Sequence, residues 1–173
     1  MRTATLKRIA VRAAAGTRTR GWLTAGPLAI PVALGRGGIL ANKREGDGAT
    51  PRGRFRLVRL WWRADRGTRP RTSLPARAIA RDDAWCEDPA DRRYNRPIKA
   101  SSGDHLWRDD HLYDLMIELD HNTRPRISGR GSAVFIHLAR PGFAPTAGCV
   151  ALTQGRLRRL LARLGPRTVI DVN

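Results

Sequence analysis

The sequence predicts a mostly β domain of the α+β class, with one amphipathic helix near its C-terminal end. Three observations support this prediction. Apolar runs of strand length recur along the chain, clusters of Gly, Pro, Asn and Asp separate them, and one segment repeats leucine at helical spacing. The length of 173 residues fits a single domain, expected to cover 1–173 and to begin with a basic segment at 1–20.

The strand predictions come from apolar patterning. In residues 54–62, arginines alternate with apolar side chains, which is typical of a half-buried strand. Residues 112–119 and 133–138 predict two further strands, and the nearly all-apolar 133–138 is expected at the centre of a sheet. Short apolar runs at 38–40 and 168–172 predict strands at sheet edges, the second of them following the helix.

One helix is predicted after Thr153. A threonine is favoured at the N-cap of a helix, and Gly165 with Pro166 is a strong signal for the helix end. We expect the arginines of this segment to form a solvent-exposed face. The apolar face contains four leucines, namely Leu157, Leu160, Leu161 and Leu164.

The chain is strongly basic, since 33 Lys and Arg against 15 Asp and Glu give a net charge of +18. This charge attracts anions such as nucleic acid, acidic lipid or polyanionic polymers, but it does not choose among them. No apolar stretch reaches the length of about 18 residues that a membrane span needs. Pro27 and Pro31 interrupt the apolar run that follows the basic segment, so we expect no signal peptide, and the sequence by itself favours the cytoplasm.

The candidate chemistry lies in residues 134–152. His137 ends an apolar strand, and Cys149 follows it after a Gly- and Pro-rich loop. Because a free thiol is mostly protonated at neutral pH, a neighbouring imidazole makes it a useful nucleophile. We therefore expect His137 to activate Cys149, with the N–H groups of Gly148 and Cys149 receiving an oxyanion. The alternative is that Cys149 is a small buried side chain and His137 a core residue.

Neither a cofactor nor a metal site is predicted. His105, His111 and His121 lack the spacing of metal ligands. Cys86 is expected to be structural, and a disulfide between Cys86 and Cys149 would consume the nucleophile, so we expect both thiols to be unpaired.

Polar residues in loops are further candidates for lining a cleft. Asparagines in loops often serve turns, and a serine before a strand often has no further role, so each candidate also has a structural alternative. The charged residues Lys43, Glu45 and Asp47 lie in a glycine-rich loop that can extend over the site. The cleft candidates are Tyr94, Asn95, Asn122 and Ser132.

Two motifs resemble the L,D-transpeptidase catalytic domain family of the YkuD type. His137 followed by the segment 146–149, Thr-Ala-Gly-Cys, resembles the family pattern of a His, a spacer and Ser/Thr-x-Gly-Cys-x-Arg. The segment 50–55, TPRGRF, resembles the TPxGxF turn and strand of that family. The resemblance covers about residues 35–173. It implies a β-sandwich or mixed sheet with a C-terminal helix and a final strand.

The resemblance also implies acyl transfer on peptidoglycan stem peptides. Cys149 is then the nucleophile, His137 the general base and later the acid, Gly148 part of the oxyanion turn, and Thr146 the hydroxyl at the Ser/Thr position. The sulfur attacks the amide between the diamino acid at the third stem position and the terminal D-Ala. An amine then accepts the acyl group and forms a crosslink. The usual location of the family is the cell envelope.

The sequence departs from the family pattern at two positions. Ala151 stands where most members have arginine, and Ala147 where many have histidine or asparagine. Arg140, Arg130 and Arg96 are candidates to replace the missing guanidinium. We include Arg140 among the substrate-binding candidates.

Three alternative functions remain at this point. The first is a cytoplasmic L,D-carboxypeptidase that uses water to trim tetrapeptides to tripeptides, which suits a chain without an evident leader. The second is a basic nucleic-acid-binding module with an inert cysteine, which is not favoured because it leaves the arrangement of His137 and Cys149 unexplained. The third is an inactive relative that binds glycan or peptide. The sequence makes no prediction of the oligomeric state.

Overall fold

In a computed structural model of the chain, the structure describes residues 4–101 and 103–173. One α-helix is present in these residues, α1 at Gln154–Leu161. The first seven strands are β1 Arg8–Ala13, β2 Arg20–Ala25, β3 Leu28–Ala33, β4 Ile39–Leu40, β5 Thr50–Pro51, β6 Gly53–Trp62 and β7 Ala76–Ala78. The next seven are β8 Asp83–Trp85, β9 Pro97–Lys99, β10 Asp104–His105, β11 Leu115–Leu119, β12 Phe135–Leu138, β13 Val150–Leu152 and β14 Val169–Val172.

Eight of these strands form a closed ring. Hydrogen-bonded neighbours follow the order β11-β12-β13-β3-β2-β1-β14-β6-β7, and β11 also pairs with β6. The sheet is mixed, because β1 runs parallel to β14 and β12 parallel to β13, whereas β2, β3 and β11 pair antiparallel with their neighbours. Ring closure satisfies strand edges that an open sheet leaves free. A mixed sheet with a C-terminal helix and a final strand confirms the predicted fold class.

Three strands between residues 8 and 33 were not predicted from the sequence. In β1, Ile9 and Val11 are buried while their neighbours are more exposed, so this short strand has the expected alternation. Gly21 in β2 allows close pairing with β1, because a Cβ there would lie 2.1 Å from the Arg12 carbonyl oxygen. The basic segment at 1–20 therefore supplies β1 and the first residue of β2, and the sheet begins well upstream of residue 35.

The final strand is an internal strand of the sheet, with a neighbour on each side. We expected residues 168–172 to form an edge, but β14 pairs with β1 on one side and with β6 on the other, so that expectation was wrong. Asp171 of β14 forms ion pairs with Arg8 of β1 and Arg54 of β6, the second at 2.7 Å. A single carboxylate thus joins three neighbouring strands. The other predicted edge, β4, pairs with β5 in a separate two-stranded sheet.

Helix α1 is shorter than predicted, since it ends at Leu161 and not next to Gly165. Thr153 occupies the N-cap position, but its hydroxyl makes no capping hydrogen bond to any residue that the structure describes. The predicted leucines are buried, including Leu164 just beyond the helix, while Arg159 on the opposite face is exposed. Among the described residues, no helix combines the length and the apolar character that crossing a membrane requires.

Strands β11 and β12 separate two apolar clusters. Successive side chains of a strand point to opposite faces. In β12, Ile136 and Leu138 belong to the larger cluster, which includes the leucines of α1, whereas Phe135 belongs to a second cluster with Trp61 and Cys149. By the same alternation, His137 faces the side of the second cluster.

Candidate active site

A cavity of about 820 Å³ lies on the side of β12 and β13 that faces away from α1. Its walls come from the loop after β3, the irregular segment around β10, the residues that lead into β12, and the turn before β13. Both His137 and Cys149 line this cavity. A concave site with a few polar groups is the usual form of a small-molecule site.

The pairing of two strands places His137 and Cys149 on one face. β12 and β13 run parallel, with Ile136 opposite Val150 and His137 opposite Ala151. Because side chains alternate, Cys149, the residue immediately before β13, shares the face of Ala151 and therefore that of His137. This arrangement brings together the two residues that the sequence analysis named as nucleophile and base.

The Cys149 sulfur is enclosed by backbone groups. The residue is 7% exposed. Its Sγ accepts a hydrogen bond from the Phe135 N–H at 3.3 Å and donates one to the Ala133 carbonyl at 3.3 Å. Burial raises the pKa of the thiol to about 12, and the Phe135 N–H opposes this shift. At neutral pH the resting residue is therefore a thiol.

The imidazole of His137 is also buried and neutral. Burial lowers its pKa to about 4, and the nearby cations Arg108 and Arg140 act in the same direction. Nδ1 lies 2.9 Å from the Leu138 carbonyl. Because a carbonyl only accepts, Nδ1 carries the proton and Nε2 keeps its lone pair for a proton transfer. Within the described residues, no hydrogen bond joins His137 to the Cys149 sulfur in this resting state.

The turn before Cys149 is held by Thr146. Its Oγ1 donates a hydrogen bond to the Cys149 carbonyl at 2.6 Å and accepts one from the Gly148 N–H at 3.1 Å. Gly148 has a φ of +141°, and a Cβ there would lie 2.8 Å from the Ala49 carbonyl oxygen, so only glycine fits. The Gly148 N–H, which we expected to face an oxyanion, is thus bonded to Thr146.

Charged groups of both signs surround the cavity. Arg36, Arg108 and Arg140 line it together with Lys43. The acidic lining residues are Glu45, Glu87 and Asp104. Asp104 accepts a hydrogen bond from the Tyr113 hydroxyl at 2.7 Å, and burial raises the pKa of its carboxyl group. The cavity can therefore contact a ligand that carries both a carboxylate and an ammonium group.

Of the weaker sequence candidates, Ser132 and Arg140 line the cavity. Ser132 donates a hydrogen bond to Glu45 at 2.8 Å. Arg140 is half exposed, and its guanidinium lies 4.0 Å from Asp110. Neither Arg96 nor Arg130 is part of the lining. Among the three arginines proposed as replacements for the missing one, only Arg140 reaches this cavity.

Tyr94, Asn95 and Asn122 lie outside the cavity lining and hold loops together. The Tyr94 hydroxyl accepts the Gly131 N–H at 3.0 Å and donates to Glu45. The Asn95 side chain binds the carbonyls of residues 121 and 122 and the N–H of Ala133. These bonds fix the segment that carries Ala133, the partner of the Cys149 thiol. The structure therefore gives these residues a supporting position behind the site.

The Asn122 side chain closes the loop that follows β11. Its amide nitrogen donates to the carbonyls of Ile127 at 2.9 Å and Gly131 at 3.0 Å, and its oxygen accepts the Ile127 N–H. With a φ of 50°, Asn122 adopts the left-handed conformation that asparagine tolerates in turns. Cys86 is buried and, like Cys149, has a free thiol.

The sequence analysis missed five polar residues of the cavity: Arg36, Glu87, Asp104, Arg108 and Tyr113. Each lies in a short strand or irregular segment without a recognisable motif. Tyr113 packs its ring edge-on against His137, with centroids 5.4 Å apart, and the Arg108 guanidinium lies over the Tyr113 ring. The only local sequence feature near these residues is a cluster of tryptophan, arginine and aspartate at 107–110.

Comparison with known proteins agrees with this geometry. A family model described as the L,D-transpeptidase catalytic domain, YkuD, matches residues 7–172, and this range includes the three N-terminal strands. A search of curated proteins and a search of solved structures returned no match. Such a match over nearly the whole chain indicates an enzyme of the L,D-transpeptidase type that acts on peptidoglycan. The chain belongs to the YkuD family of L,D-transpeptidase catalytic domains.

Proposed function

We propose that the protein transfers acyl groups between peptidoglycan stem peptides through a thioester on Cys149. The substrate is a stem tetrapeptide, and the reacting bond is the amide between the diamino acid at position three and the terminal D-Ala. The observation that carries this proposal is the common face of His137 and Cys149 in one cavity. The family membership supplies the substrate class.

The first half of the reaction begins from a neutral pair. As Sγ attacks the amide carbonyl carbon, the thiol proton moves to Nε2 of His137, whose Nδ1 proton stays bonded to the Leu138 carbonyl. The negative charge develops on the carbonyl oxygen, for which the Cys149 N–H is the donor in this proposal. When the carbon–nitrogen bond breaks, His137 returns the proton to the departing amine of D-Ala. The acyl group remains as a thioester.

The second half transfers the acyl group to an amine. The amine of a second stem attacks the thioester carbon while His137 takes one of its protons. The carbon–sulfur bond then breaks, and the proton passes to the sulfur, which restores the thiol. Water in place of the amine gives a tripeptide, so carboxypeptidase activity uses the same residues and differs only in the acceptor.

Arg140 is our candidate to bind the carboxylate of the terminal D-Ala. The family pattern places an arginine at position 151, but Ala151 is buried opposite His137 and offers no charge. Arg140 lies two residues after β12 and lines the same cavity. Among the described residues, its guanidinium donates no hydrogen bond, and the nearest carboxylate, Asp110, is 4.0 Å away. A guanidinium there pairs with a planar carboxylate through two parallel hydrogen bonds.

The test is mass spectrometry of a disaccharide-tetrapeptide incubated with the protein. We expect loss of D-Ala with the unaltered chain and none with Cys149→Ala. A crosslinked dimer among the products identifies a transpeptidase, and tripeptide alone identifies a carboxypeptidase. Survival of tetrapeptides with different third residues, in the presence of the folded unaltered protein, would contradict the proposal.

A further inference from the structure

Lys43 is a buried lysine that the mechanism above does not use. Its side chain is 6% exposed, although it carries a charge whose removal from water costs free energy. It lies in the loop between β4 and β5 and lines the cavity that contains Cys149. A buried cation beside a nucleophile calls for a physical explanation.

The loop itself fixes the position of the ammonium group. Nζ of Lys43 forms an ion pair with Asp47 at 2.5 Å and donates to the Arg44 carbonyl at 3.1 Å. Asp47 is held in turn by the N–H groups of Arg44 at 2.7 Å and Ala49 at 2.8 Å. These contacts give the Lys43 side chain one defined direction.

Two glycines make room for the Lys43 side chain. A Cβ on Gly131 would lie 2.8 Å from the Lys43 Cγ, and a Cβ on Gly148 would lie 3.6 Å from the Lys43 Cε. Gly148 immediately precedes the nucleophile, and Gly131 lies two residues before Ala133, whose carbonyl accepts the thiol proton. The charged end of Lys43 therefore packs against the catalytic turn.

Two carboxylates near the thiol have the opposite sign. Asp104 and Glu87 disfavour a thiolate at Cys149, and Lys43 favours one. The remaining titratable neighbours, His137 and Tyr113, are neutral at pH 7, because burial lowers the pKa of the first and raises that of the second. Around Lys43 itself, the titratable groups are Asp47, Glu45 and His121.

We infer that Lys43 is a positioning residue whose fixed positive charge stabilises the negative charge on Cys149 while the thiol proton moves to His137. In this role Lys43 acts by its electric field and not as an acid. This inference rests on the proposed function, because it takes Cys149 as the nucleophile.

The experiment measures alkylation of Cys149 by iodoacetamide as a function of pH, with the modified residue located by mass spectrometry. Because the thiolate is the reacting form, Lys43→Met should slow alkylation at pH 8 by roughly threefold to tenfold, the size expected for one nearby charge. Lys43→Arg should retain most of the rate. Asp47→Asn should increase the rate, since the lysine then loses its counter-charge.

A purely structural role for Lys43 makes a different prediction. In that case Lys43→Met and Asp47→Asn break the same ion pair and change the rate in the same direction. That result, or an unchanged rate in a folded Lys43→Met protein, overturns the inference. The measurement uses no peptidoglycan, so a Lys43 effect together with an inert tetrapeptide contradicts the proposed substrate alone.

Discussion

The two central side chains of the candidate site, Cys149 and His137, are both neutral at rest. The Cys149 thiol has a pKa of about 12 and the His137 imidazole a pKa of about 4, because burial disfavours the charged form of each. A thiolate–imidazolium pair therefore does not form before substrate binds. In the proposed reaction, the proton transfer from Cys149 to His137 is then part of the chemical step.

This ionisation state predicts how Cys149 reacts with a small alkylating reagent. The rate should rise nearly tenfold for each pH unit from 7 to 10, because only the minor thiolate reacts and its fraction grows below the pKa. His137→Ala should change the rate little, since the neutral imidazole holds no ion pair with the sulfur. An alkylation rate that is constant between pH 6 and 9, and that loses this plateau in His137→Ala, would instead show a thiolate–imidazolium ion pair in the resting protein.

Arg140 gives a second prediction at the scale of a single side chain. Arg140→Ala should raise the KM for a tetrapeptide about tenfold or more, because a charged hydrogen bond to the D-Ala carboxylate is lost. A substrate with an amidated terminus should show no such difference. Arg130→Ala is the matched control, since Arg130 lies outside the cavity and its loss should leave KM unchanged. Equal effects on the acid and amide substrates would disprove carboxylate recognition.

The two central site residues were predictable from the sequence, whereas most of their neighbours were not. His137 and Cys149 lie in one short segment, and a local motif identifies them. Arg108 and Tyr113 reach the same cavity only after folding, from a part of the chain without regular pattern. Arg36 arrives from the loop after β3. Their meeting in one cavity depends on contacts between residues far apart in sequence, and composition and periodicity do not predict such contacts.

At the scale of elements, one of the missed strands, β3, has a specific cause. β3 contains Pro31, which lacks an N–H and argues against a strand when it is found in an apolar run. In the structure Pro31 stands opposite Trp22 of β2 within a regular antiparallel pair. The longer β6 was predictable because its alternation extends over more residues. A short strand that contains a proline can be recognised only once the strands that pair with it are known.

Asp171 provides a prediction for the contact between strands. The Arg54 and Arg8 guanidinium groups lower the pKa of its carboxyl group, so this ion pairing stabilises the fold above pH 3.8 and is lost as pH falls through the lowered pKa. Asp171→Asn should lower Tm at pH 7 by roughly 2–4 °C. The difference from the unaltered chain should shrink as pH falls below 3.8, because the carboxylate is then progressively protonated.

The control for this prediction is Asp109→Asn, which makes the same charge change at a fully exposed carboxylate. Its Tm should stay close to that of the unaltered chain. Thermal unfolding followed by circular dichroism at pH 7 and pH 3 measures both variants. Equal effects of the two substitutions would assign the change to net charge and not to the junction of β1, β14 and β6.

At the scale of the whole molecule, some of the excess arginines pack against aromatic side chains of the fold. Two guanidinium groups lie over the Trp107 ring, with Arg63 at 3.6 Å and Arg81 at 4.8 Å from its centroid. Such contacts contribute packing as well as charge. The net charge of +18 is therefore a guide to the sign of a partner, and it predicts neither the fold nor the site.

The ring of strands also determines the order in which the protein can be assembled. β1 pairs with β14, and the Thr168 hydroxyl bonds the carbonyl of Leu6 across a separation of 162 residues. At translation rates of about 5–20 residues per second, that interval is roughly 8 to 32 seconds. During this time the edge of β1 that pairs with β14 has no partner strand. The bond network that closes the ring beside β1 can therefore form only after His137 and Cys149 have already been synthesised.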